Sequence, residues 1–175
     1  MKQEAEPASL LRRLRVALVV WLAMLGLDFL LNGALFARIY QSGGSFMLPP
    51  AEAFRRIPLG YLAFLILAVS IVEIAHRLGV TRLADGIRLG LVIGGVLGAT
   101  WGLSLYSIAT LPAPVALAFV AIWLALAVLG TAVAVAGLAR SSLRRLALAV
   151  VAFEVVCAVT VITLQSLGVV PTMKA

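Results

Sequence analysis

The stretch GIRLGLVIGGVLGATWG, from Gly86 to Gly102, has a glycine at every fourth position: Gly86, Gly90, Gly94, Gly98 and Gly102. The positions between them are apolar or small apart from Arg88 and Thr100. Four residues is one step along a helix-surface ridge, so a helix over this run presents a bare groove. In water each such glycine costs roughly 1 kcal/mol relative to alanine. In lipid nothing competes for the backbone hydrogen bonds, and glycine lets a second helix approach closely. The stretch therefore predicts the central helix of a membrane bundle.

Composition supports a bilayer as solvent. Of 175 residues, 63% are hydrophobic, against about 45–50% in soluble domains, and mean hydropathy is +1.15. The formal net charge is +7, but the basic residues cluster between apolar runs rather than forming one face. That pattern is membrane-flanking charge and argues against a nucleic-acid partner. A single cysteine, Cys157, lies in an apolar run, so no intrachain disulfide can form.

Working outward, the all-α reading has five transmembrane spans in one domain, 1–175, at about 16–37, 57–75, 89–111, 113–138 and 146–170. The first follows Arg12, Arg13 and Arg15 and resembles a signal peptide in outline. Its 22 residues, its Asp28 and Asn32, and the lack of a small-x-small cleavage site favour a retained span. Between the first two spans, Ser42-Gly43-Gly44-Ser45 reads as a flexible link and Pro49-Pro50 as a stiff stop. Residues 51–56 are expected to form one interfacial turn, with Pro58 in the first turn of the second span. A basic turn, 77–88, precedes the glycine helix. Leu111-Pro112-Ala113-Pro114 allows only a tight reversal, which makes spans three and four an antiparallel hairpin. Thr131, the one clearly polar side chain of span four, is expected to face lipid. The similarity of SLLRRLRVALVV (9–20) to SLRRLALAVV (142–151) is that of two basic membrane entries rather than of a repeat.

Lys and Arg set the orientation. Ten of them, Lys2, Arg12, Arg13, Arg15, Arg77, Arg82, Arg88, Arg140, Arg144 and Arg145, fall on one side. Four, Arg38, Arg55, Arg56 and Lys174, fall on the other. The positive-inside rule then predicts a cytoplasmic N-terminus and an external C-terminus.

Candidate functional residues are the ionisable groups within apolar runs, since a charge at a helix centre costs about 2.5–3.5 kcal/mol. Asp28 lies 12 residues past Val16, near the middle of the first span as drawn, and Asn32 is one turn further on the same face. Glu154 falls at a similar depth on the parallel fifth span, and Thr100 and Ser104 offer hydroxyls on the glycine helix. Together Asp28, Asn32, Glu154, Thr100 and Ser104 form a candidate buried polar pocket able to exchange protons. The competing reading is that the acids only fix helix packing. Glu73, His76 and Arg77 look like half of a metal site, but the chain has no other histidine. We therefore read them as an ion-pair cluster at the membrane rim, and expect neither metal nor cofactor. Trp101 and Trp123 are expected to fill space against the glycine groove, and Tyr40 to sit in the interfacial belt.

With Asp28-x-x-x-Asn32-Gly33 in the first span and Gly98-x-x-Trp101-Gly102-x-x-x-Tyr106 in the third, the chain resembles small uncharacterised bacterial multi-pass membrane proteins of unknown function. That resemblance implies the bacterial inner membrane and no particular activity. Size and helix count are also similar to those of the tryptophan-rich sensory proteins, which bind porphyrin and cholesterol. With three tryptophans and no matching aromatic pattern, their function is not carried over. Two function classes follow. One is a non-enzymatic membrane subunit or helix-packing module, with the bilayer and a second copy or another membrane chain as partners. The other is a small-molecule, lipid or proton binding or transport protein that uses the buried carboxylates.

Overall fold

The computed structural model describes residues 9–41, 48, 50–139 and 142–171. The link at 42–45, Pro49, Arg140, Lys2 and Lys174 lie outside them. The described fold is all-helical: α1 (Leu10–Leu30), which runs into a π-helical turn (Leu31–Leu35), then α2 (Ala37–Gln41), α3 (Pro50–Arg77), α4 (Leu83–Ile108), α5 (Ala113–Ala139) and α6 (Leu143–Ser166). Among the described residues, five segments are long and apolar enough to cross a membrane: Leu10–Leu35, Arg55–Arg77, Leu83–Ile108, Ala113–Ala139 and Leu143–Ser166.

The ends of these helices differ from expectation for local reasons. α1 begins at Leu10, six residues before the expected span, because the Ser9 hydroxyl accepts from the Arg12 amide and caps the first turn. α3 is continuous from Pro50, and Pro58 lies inside it rather than starting a new helix. Proline removes only one backbone donor, and the helix runs through that loss. α3 stops at Gly79, whose φ of +61° is the left-handed cap that glycine adopts without strain. The Gly79 amide donates to the His76 carbonyl and that of Val80 to Ala75. α4 then starts at Leu83, which places all five spaced glycines within it. The α4–α5 reversal is as tight as its prolines dictate, and the amides of Val115 and Ala116 donate to the Pro112 carbonyl.

The glycine row receives α5. A Cβ built on Gly94 would stand 2.6 Å from Leu124 Cα and 2.9 Å from the Trp123 carbonyl oxygen. On Gly90 it would meet Thr131 Oγ1 and come within 2.6 Å of Val128 Cα. On Gly98 it would lie 3.0 Å from Val120 Cα. As the numbers rise on α4 they fall on α5, so the pair is antiparallel. The occupant of the groove is backbone, which corrects the expectation that tryptophan rings fill it. Trp101 is half exposed. The Trp123 ring turns away to meet Phe64 edge-on, with centroids 6.1 Å apart. Thr131 is likewise corrected. It is fully buried against Gly90, and its hydroxyl donates to the Ala127 and Val128 carbonyls of its own helix.

The glycine helix is peripheral, and α1 and α5 form the centre. α1 packs against α3, α5 and α6, and α5 against α1, α3 and α4, whereas the main partner of α4 is α5. A single row of glycines admits a single neighbour. The rest of the α4 surface carries exposed Leu91, Val92, Val96 and Leu103. α1 instead distributes small residues around its circumference. Ala17 and Ala23 are buried in the core with Val16, Val20 and Met24, and Gly26 faces α6. From α5, Gly137 meets Val16, and Gly130 meets Val20 and Met24, so α5 is antiparallel to α1. From α6, Glu154 meets Gly26 and Val161 meets Gly33, so α6 is parallel to α1. Arg12 reaches the C-terminal end of α5, where its guanidinium donates to the Leu138 carbonyl at 3.0 Å and to that of Gly137 at 3.4 Å. A cation there satisfies carbonyls that have no helical partner.

Candidate functional site

Asp28 and Asn32 form one unit. The Asn32 side-chain amide donates to Asp28 Oδ1 at 2.7 Å and to the Asp28 carbonyl at 3.1 Å. The spacing of four puts both on one face, and the unit sits where α1 loosens into the π turn. There the Phe36 amide donates to the Leu31 carbonyl, five residues back. Single π turns in α-helices recur at functional positions. Because α1 starts at Leu10, Asp28 lies past the middle of its span (Leu10–Leu35), in the C-terminal half.

Tyr40 belongs to the same end of the bundle. Its ring packs on Phe119 at 5.7 Å, and its hydroxyl is buried without a hydrogen-bond partner. It therefore faces inward rather than the interfacial belt. Burial pushes its phenol up, and the Asp28 carboxyl adds to the effect. The hydroxyl is held in its neutral, donor form.

Glu154 shares the depth of Asp28 but not its environment. Its side chain lies against Gly26, two residues before Asp28 and so about 3 Å away along the axis. Residues two apart do not share a helix face, so the carboxyls of Glu154 and Asp28 are not brought together. Glu154 Oε1 is buried with no hydrogen-bond partner. Thr100 and Ser104 stand apart from both. They are exposed on the side of α4 away from α5, and this placement corrects their assignment to a common interior pocket. Ser107 continues the same stripe, its hydroxyl donating to the Ser104 carbonyl.

At the opposite end, Glu73 bridges two arginines. Its Oε2 accepts from Arg13 Nη1 at 2.7 Å and its Oε1 from Arg77 Nε at 2.6 Å. Glu73 and Arg77 of the expected cluster are paired, these two ion pairs do not include His76, and Arg13 of α1 is a member that sequence spacing alone does not reveal. Among the described residues no three His, Cys, Asp or Glu side chains group as metal ligands would.

Sequence reasoning missed a groove between the C-terminal ends of α1 and α6. It has a volume of about 520 Å³ and an almost wholly apolar lining, with Arg38 at its rim. The Gln165 side-chain amide donates to the Gly33 carbonyl at 3.2 Å and joins the same two chain segments. The basic residue straight after an apolar span was the available signal. The path of the chain after α6 was not legible.

No protein-family model matches the chain, and no curated protein or solved structure matches it. The five apolar helices make it a candidate multi-pass membrane protein, and the site geometry must carry any functional reading.

Proposed function

We propose that the chain is a non-enzymatic subunit of the bacterial inner membrane, with its N-terminus in the cytoplasm, and that the outer face of α4 is its contact surface for the helix of another membrane chain. The observation that carries this is the stripe Thr100, Ser104 and Ser107 on the exposed side of α4. These hydroxyls lie on a helix that has one main neighbour and whose glycine groove is already filled by α5. In hydrocarbon, Ser and Thr side chains join helices by hydrogen bonding across the contact. The glycines in this reading are internal mortar, and the hydroxyl stripe is the outward surface. The acids serve packing, as Asp28 does with Asn32 and Glu73 does with its arginines.

A photo-crosslinking residue at Ser104, introduced in native membranes and followed by mass spectrometry, tests this. The proposal expects a protein adduct at Ser104 and none at Val155 on the exposed side of α6. Lipid adducts alone at both positions would refute it.

A second reading is favoured by the unpartnered oxygens of Glu154 and Tyr40: proton-linked binding through the carboxylates. Asp28→Asn and Glu154→Gln in reconstituted protein should then abolish pH-dependent proton uptake while leaving folding intact. If neither amide changes uptake, that reading fails.

A further inference from the structure

We propose that the groove between the C-terminal ends of α1 and α6 binds an anionic phospholipid, with an acyl chain along the groove and the phosphate at Arg38. The proposal is independent of the contact surface assigned to α4. Three local departures from regular helix converge here. The π turn at Leu31–Leu35 widens the end of α1. The chain then breaks at Phe36, with φ −101° and ψ 1°, and swings Arg38 outward. Beyond α6, Gly168 at φ +69° turns the chain back, with the Val169 and Val170 amides donating to the Leu164 carbonyl.

The result is a cleft with Leu31, Ala34 and Leu35 on one wall and Leu164 and Val169 on the other. Its volume of about 520 Å³ lies within the range of small-molecule sites, about 300–1,000 Å³. Arg38 is the sole charged group in the lining. One of its terminal nitrogens donates to the Val169 carbonyl at 2.6 Å, which anchors the guanidinium across the mouth. Arginine has five N–H donors in a planar fork, so further donors remain for an anion, and that fork matches phosphate oxygens.

Position selects the occupant. Arg38 lies just past Leu35, where the first span ends, and Val169 just past Ser166, where the fifth ends. This is the boundary at which hydrocarbon gives way to headgroups. The apolar walls below that level suit an acyl chain. The fixed cation at that level favours a headgroup of net negative charge, whose phosphate meets the guanidinium with no choline cation to compete for it.

Native mass spectrometry of the purified protein tests the proposal, with micelles containing equal amounts of phosphatidylglycerol and phosphatidylcholine. Wild type should retain phosphatidylglycerol roughly five- to tenfold better than phosphatidylcholine. Arg38→Gln should reduce that preference to parity, and Arg38→Lys should keep most of it. Arg15→Gln, an exposed arginine at the other end of α1, should leave it unchanged. Equal retention of the two lipids by wild type would overturn the proposal, as would a preference that survives Arg38→Gln. A dimer mass without lipid would also overturn it and give the groove to a second copy of the chain.

Discussion

Gly94 and Gly95 are adjacent, share a helix and have the same intrinsic propensity, yet alanine should act in opposite directions at the two. At Gly94 the new Cβ would stand 2.6 Å from Leu124 Cα and 2.9 Å from the Trp123 carbonyl oxygen. Carbon atoms rest about 3.5–4.0 Å apart, so α5 must withdraw by about 1 Å. A gap of that order removes a quarter to a half of each dispersion contact it opens, and overpacking of this kind costs about 1–3 kcal/mol. Better helix propensity offsets up to about 1 kcal/mol. The expected net loss for Gly94→Ala is about 1–2 kcal/mol. A Cβ on Gly95 meets nothing within 4 Å. Gly95→Ala should therefore be neutral, or stabilising by up to about 1 kcal/mol. Cys157, the one cysteine and only 2% exposed, provides the assay. Its maleimide labelling along a denaturing-detergent titration follows unfolding, with Trp123 fluorescence as a local probe of the α4–α5 seam. Gly94→Ala as stable as Gly95→Ala would refute the seating of α5 in the groove.

The same titration checks three further expectations. Thr131→Val removes two intrahelical hydrogen bonds and should cost about 0.6 kcal/mol, and not more than about 1.7, whereas Thr131→Leu should cost more because it drives atoms into the space that Gly90 leaves open. Glu73→Gln removes the charge that pairs with Arg13 and Arg77 at a partly exposed rim and should lower stability only slightly, a loss that shrinks in high salt. Gln165→Leu leaves the Gly33 carbonyl without its side-chain donor and should cost about 0.5–1.5 kcal/mol.

The α4–α5 seam shows what spacing can and cannot disclose. Glycines four apart announce a groove whatever the partner. Which face of α5 enters it is invisible in sequence, because α5 is apolar all round and no stripe marks a preferred side. Thr131 was misplaced for that reason. Its hydroxyl bonds carbonyls of its own helix, so the residue tolerates an interior position that polarity alone argues against. Asp28 and Asn32 were legible as a pair because helical periodicity fixes directions within one helix. It does not fix the rotation of one helix against another. The common depth of Asp28 and Glu154 could be counted, while their placement on different sides of α1 could not. The several neighbours of α1 leave no mark in sequence because its small residues follow no single row. The groove at Arg38 arises from a π turn and a reversed C-cap, neither of which leaves a periodic trace.

Five crossings require the two ends of the chain to lie on opposite sides of the membrane. Alkaline phosphatase, active only outside the cytoplasm, and green fluorescent protein, fluorescent only within it, can be fused in turn to each terminus in a bacterial host. Five crossings with the N-terminus in the cytoplasm should give fluorescence without phosphatase activity at the N-terminus and phosphatase activity without fluorescence at the C-terminus, the orientation that the ten-to-four distribution of Lys and Arg predicts. The same reporter active at both ends would contradict it.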